Sequence, residues 1–227
     1  MKPLDIPTAR AIAARLVAAR GAILIPSTDP RRTALVYALG AVHALSGSGW
    51  DVAAARERVT VTLPAVGTPL AALLALIPGV GGLLADVART QDRTAIYLSP
   101  AAESDPVVLL ATIAHELGHV DQIHTGGLAW CAAYGLVPEV RAGAEAPCYG
   151  QDVAVLWPLS LAQTIYTSPA ILCDQARASL AGYGLDAESM ALASGILDVT
   201  QRTLEHGGEL PGPCADVLAA LRAEGCL

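Results

Sequence analysis

Residues 109 to 127, LLATIAHELGHVDQIHTGG, set His115 and His119 four positions apart, with Glu116 directly after the first, inside an apolar run. On a helix, positions i and i+4 share a face, so two imidazoles can meet one metal ion while Glu116 projects beside them. Zinc held by three protein ligands keeps a fourth position for water, lowers that water's pKa toward about 7, and leaves a neighbouring carboxylate to take its proton. Glu116 is spaced to be that base. Unpaired imidazoles at the end of so apolar a stretch would be costly, which argues against an ordinary helix face. Gly118 adds to this: a helix former would be preferred there by about 1 kcal/mol, so a glycine between the histidines predicts close approach of another backbone or a ligand.

The elements that must position these residues can be read around them. An amphipathic helix is expected from Thr8 to Arg20, and a second from Asp29 as N-cap, with Pro30 at its first position, through RRTALVYALGAVHAL. The segments 57–64 and 93–100 alternate β-branched residues and read as strands. Between them, Val59 to Ala85 carries no charge. Pro64, Pro69, Pro78 and the GVGG turn divide this region, so the longest helical piece is about two turns, short of the roughly 20 residues of a membrane span. A buried helical hairpin is expected there, with membrane or assembly contact through 59–85 as the alternative. The motif helix follows, with Asp105 as N-cap. Then comes a Gly-punctuated connection, a helix from Pro138 interrupted at Pro147 and Gly150, and further helices in SPAILCDQARASLAGYG, DAESMALASGILDVTQRTLEHGG and PCADVLAALRAEG.

HELGHVDQ, preceded by a strand and an apolar helix, resembles the zincin metallopeptidases over roughly residues 93 to 157. The resemblance implies zinc, peptide hydrolysis and a third protein ligand from downstream. The metzincin type would need a glycine three residues and a histidine six residues after His119. Gln122 and Thr125 stand there, with His124 one place short. The aspzincin type wants an aspartate in a GTxDxxYG setting, where GAEAPCYG has Ala146. The gluzincin type takes a glutamate from a second helix, and Glu145 is the residue that fits. Glu139, Asp152 and Cys148 compete with it, and an ion pair between Glu145 and Arg141 on the surface is the non-functional alternative. Asp152 or Asp121 would orient a ligating histidine. The family also places a Tyr or His at the developing oxyanion, for which Tyr149, Tyr134 and His206 are the candidates. His43 and His124 read as helix-face residues, Trp130 and Trp157 as core anchors.

Composition narrows the classes. The chain has 227 residues, enough for one domain with a buried site, and its hydrophobic fraction of 53% with 4% aromatics implies a core of small aliphatic side chains. The net charge of -7, with scattered arginines, offers no basic stripe for phosphate neutralisation, so nucleic acid is not an expected partner. The N-terminus lacks the continuous apolar stretch of a secretory signal, which points to a cytoplasmic location or one within a larger assembly. Five cysteines without CxxC spacing read as reduced thiols, the alternative being disulfides such as Cys131 with Cys148 or Cys214 with Cys226. The expectation is a single predominantly helical α+β domain, residues 1–227. Its zincin core would span about 57–157, with a small sheet packed beside the motif helix, and a helical C-terminal part would follow over 158–227. It would hold Zn2+ at His115, His119 and Glu145 and cleave a peptide or protein substrate with Glu116 as base. The competing expectation is a structural or interaction protein of a larger assembly, such as a phage particle or secretion machine, that retains the site.

Overall fold

The computed structural model describes residues 2–33, 35–37, 52–65, 92–162 and 167–227. His43 and residues 66–85 of the expected hairpin lie outside them, and within 59–65 a strand, Val61–Leu63, stands where the hairpin was expected to begin. The fold is predominantly helical α+β with one small three-stranded sheet. Among the described residues no helix is long and apolar enough to cross a membrane.

The chain divides into two compact units. The smaller, Val17–Asp105, holds the sheet. Strand β1 (Ile23–Ile25) pairs parallel with β3 (Ala95–Tyr97), whose other edge pairs antiparallel with β2 (Val61–Leu63). β3 is therefore central, and all three of its residues are buried. Ile25, Leu35, Ala95 and Tyr97 form the core of this unit. β2 and β3 fall inside the two predicted strands but are shorter: residues 57 and 58 end a helix, α2 (Val52–Arg58), which the sequence pattern did not reveal, and Ser99 and Pro100 open the next one. β1 was also missed, since three residues are too few to show an alternation. Asp29 caps a helical stretch from Pro30 as expected, its carboxylate accepting the Arg31 backbone N–H at 2.8 Å. The short α3 (Pro100–Ser104) is capped by Ser99.

The larger unit, Met1–Leu16 with Pro106–Leu227, carries the motif. Most of α1 (Ile6–Ala19) belongs to it. The apolar run before the histidines becomes α4 (Pro106–Leu136), with Leu109, Leu110, Ile113, Ala114 and Leu117 fully buried. The expected connection at TGG is a break within this element: Gly127 alone is non-helical, at φ 59°, and helix resumes beyond it. Glycine is what makes that turn cheap.

The next helix, α5 (Pro138–Ala162), differs from expectation. It starts at Pro138 as predicted but runs unbroken through Pro147 and Gly150. Proline inside a helix removes one hydrogen bond and crowds the preceding turn, yet burial of Ala142, Ala146, Cys148, Val153 and Val155 holds the helix together across it. Gly150 serves packing, since a Cβ there would stand 2.9 Å from Thr200 Oγ1. The remaining helices match their sequence signals: α6 (Pro169–Leu180) capped by Ser168, α7 (Ala187–Glu205) capped by Asp186, and α8 (Pro213–Ala223). Cys173, Leu180, Ala193 and Leu197 pack with α5 in this unit's core, and Trp157 packs against them as anticipated. All five cysteines carry free thiols.

Candidate metal centre

α4 supplies the two histidines and α5 the groups that face them. The approach of the helices is set by Gly118, where a Cβ would stand 2.7 Å from Cys148 Sγ. The glycine does mark a close approach, but what presses on it is the Cys148 side chain rather than the backbone or ligand expected, the nearest backbone atom lying at 3.9 Å.

His115 and Glu116 are buried, and Glu145 is only 1% exposed. The rings meet edge to edge with their Nε2 atoms 3.2 Å apart. Glu145 Oε2 lies 3.5 Å from His115 Nε2, and Oε1 lies 3.4 Å from His119 Nε2. Donor atoms of a tetrahedral zinc site with bonds near 2.05 Å are about 3.3 Å apart, so these separations suit a common ion.

The far edges of the rings decide where protons sit. His115 Nδ1 is 2.9 Å from Asp152 Oδ2, and His119 Nδ1 is 2.9 Å from Gln122 Oε1. A carboxylate and an amide oxygen can only accept here, so each Nδ1 carries the hydrogen. Gln122 is held in that orientation because its amide nitrogen donates to the Ala144 carbonyl of α5 at 3.0 Å. With both Nδ1 atoms protonated, neutral rings present two bare Nε2 lone pairs to each other and to a carboxylate. Glu145 Oε2 is buried without a hydrogen-bond partner. Three facing acceptors with no donor among them require a cation, a proton or a metal.

The electrostatics agree. Burial disfavours a charged His115, but Asp152 and Glu145 outweigh it and its pKa is raised well above the ordinary value. Burial likewise opposes charge on His119 and is outweighed by Cys148 and Glu145. Burial would raise Glu145, but the two facing rings, when protonated, hold its carboxyl far below the usual carboxylate range. Asp152 is pushed up by burial, only partly offset by His115, whose Nδ1 lies 2.9 Å from its Oδ2. Glu116 adds a further charge that acts on both Tyr134 and Asp152. The buried carboxylates of Glu116 and Glu145, with the half-buried Asp152, around two imidazoles leave an anionic surplus that suits a divalent ion.

Cys148 belongs to the same cluster. Ligand atoms of His115, His119 and Cys148 all lie within 4.8 Å of one another, and this buried group could hold a metal ion. The thiol sits 3.7 Å from His119 Nδ1, the edge opposite the converging Nε2 atoms.

Tyrosines close the site. The Tyr134 hydroxyl donates to Glu145 Oε1, and burial with the adjacent carboxylate raises its pKa beyond the normal range. The Tyr149 ring stands edge-on to His115 at 4.8 Å, and its hydroxyl is 3.4 Å from that of Tyr183, a residue the sequence reading did not single out. Gln122 was also missed as a positioning group, although its place three residues after His119 on one helix face was a readable signal.

Other candidates fall elsewhere. Glu145 makes no surface pair with Arg141, whose guanidinium instead donates to the carbonyls of Tyr134, Gly135 and Tyr183. His206 is exposed at the C-terminal cap of α7, where its Nδ1 bonds the Arg202 carbonyl rather than any group of the cluster. Asp121, Glu139 and His124 are exposed. Trp130 is half-buried beside Tyr134, ring centroids 5.4 Å apart.

Compared with known proteins, the chain matches no protein-family model, no curated protein and no solved structure.

Proposed function

We propose that the chain is a zinc-dependent metallopeptidase of the zincin type, with His115, His119 and Glu145 as the metal ligands. The carrying observation is the convergence of two bare Nε2 atoms and a buried carboxylate at 3.2–3.5 Å, each ring fixed from behind. Bound there, zinc would supply Lewis acidity and make water a nucleophile near neutral pH. The protein's own groups do the rest. Asp152 and Gln122 hold the ring orientations and tautomers. Glu116 takes a proton from the attacking water and delivers it to the leaving amine of a peptide or protein substrate. Tyr134 fixes Glu145, which frees Tyr149 to face the developing oxyanion.

A second reading draws on Cys148: a thiol beside the two imidazoles, counted with Glu145, would bring the donors to four, the closed number of a structural site, as in a non-catalytic protein of a larger assembly. One experiment separates them. Zinc content and cleavage of an unfolded protein are measured for the native chain, Glu116→Gln and Cys148→Ala. The peptidase reading expects Glu116→Gln to keep zinc and lose cleavage, and Cys148→Ala to keep both. Zinc lost with Cys148, and no cleavage by the zinc-loaded native chain, would favour the structural site. A native chain that takes up no zinc defeats both.

A further inference from the structure

In the sheet-bearing unit, a cavity of about 330 Å³ is lined by Ser27, Arg32, Thr33, Arg56 and Glu57, together with Ala53 and Pro100. This volume is at the lower end for small-ligand sites. Arg32 is 2% exposed, and its Nε is buried without a hydrogen-bond partner. Its Nη2 donates to the Val59 carbonyl at 2.9 Å, which anchors the guanidinium against β2's approach without neutralising it.

None of the described neighbouring carboxylates supplies an acceptor to Arg32 Nε. Asp29 is engaged by Arg31 in a two-point contact at 3.0 and 2.9 Å. Glu103 accepts the Ser27 backbone N–H at 2.8 Å. Burial disfavours the charged Arg32; the exposed Arg56 adds to that, while the exposed Glu57 and, from a distance, Glu103 favour the charge without bonding it. A guanidinium cannot escape burial by losing its proton, and a buried N–H without an acceptor is costly. Arginine is also the side chain best matched to carboxylate and phosphate oxygens.

We infer that this cavity binds a small oxyanion, phosphate or carboxylate, with the buried Arg32 as its main contact and Arg56 at its rim. Thr33 and Ser27 carry hydroxyls suited to the remaining oxygens, while Glu57 works against the ligand's charge. The site is independent of the metal centre, all of whose residues lie in the other unit.

Calorimetric titration of the whole, chelator-treated chain at low salt tests this, using inorganic phosphate and acetate as separate probes. At least one should bind saturably at millimolar concentration or below. Preference for phosphate identifies a tetrahedral dianion, and preference for acetate a carboxylate. Arg32→Gln should weaken binding tenfold or more, as loss of a charged hydrogen bond implies. Arg56→Gln should weaken it about two- to fivefold, and Glu57→Gln should tighten it by a similar factor. Should Arg32→Gln fail to fold, the opposed rim shifts decide. Absence of saturable binding by both probes, or affinity unmoved by the rim substitutions, overturns the inference.

Discussion

Gly118→Ala tests how the metal centre is assembled. The added methyl would sit 2.7 Å from Cys148 Sγ, where a relaxed contact needs about 3.5–4.0 Å, so about 1 Å must be found. Cys148 is 1% exposed, and its sulfur already lies against His119 and Gln122, so the space comes from side-chain rotation into those groups or from separation of α4 and α5. Overpacking of this kind costs about 1–3 kcal/mol, against about 1 kcal/mol gained by replacing glycine within a helix. The net expectation is a loss of up to about 2 kcal/mol. In a Cys148→Ala background the obstruction is gone and the same change should stabilise by up to about 1 kcal/mol. Urea unfolding of the four metal-free chains closes the cycle, with an expected coupling of about 1–3 kcal/mol. Zinc affinity, followed by competition with a chelator, should fall in Gly118→Ala and recover in the double variant, because Glu145 rides on the same helix as Cys148. A coupling below about 0.5 kcal/mol would refute the claim that this contact sets the helix spacing.

Asp152→Asn keeps the shape but weakens the bond to His115 Nδ1, so zinc affinity should drop about ten- to a hundredfold while the fold persists; unchanged affinity in chelator competition would deny Asp152 a positioning role. Tyr134→Phe removes the hydroxyl that satisfies buried Glu145 and should cost about 1.5–3 kcal/mol in urea unfolding, whereas a neutral result would mean the carboxylate needs no donor. The pH dependence of the metal-free chain has a definite sign. His115 and His119 are raised in the fold, so their stabilisation is complete below an unfolded pKa of about 6.5 and is lost as pH climbs through the folded values; Glu145 is lowered, so its share is present above about 4.3 and lost on acidification. The urea midpoint without metal should therefore decline on the alkaline side, and zinc should remove that decline by replacing the protons; a metal-free midpoint that keeps rising above neutrality would contradict the assignment.

Much of the larger unit was legible because its signals are local. Ser168 and Asp186 stand where helices begin, and Gly118 announced a contact without naming its partner. Asp152 was readable only as one of two possible histidine partners, since which aspartate faces His115 depends on how α5 is rotated. Pro147 misled because propensity speaks for the isolated segment, while burial on several sides decides in the fold. Tyr183 carried no signal at all: it arrives from a 3-10 turn whose place beside Tyr149 is a tertiary fact. β1 was lost to its brevity, and α2 to a composition without a periodic apolar stripe.

The hydrogen bond from Gln122 to the Ala144 carbonyl has a mechanical consequence. Were α5 to slide along α4 by one turn, about 5.4 Å, the carbonyl would leave and the amide could rotate to present nitrogen to His119. The imidazole would then move its hydrogen to Nε2, the atom facing Glu145. Interhelical registration and the capacity to ligate are thus one variable: the same slide would carry Glu145 and Asp152, both on α5, away from the rings, so a displacement that breaks no covalent bond would be enough to switch the centre off.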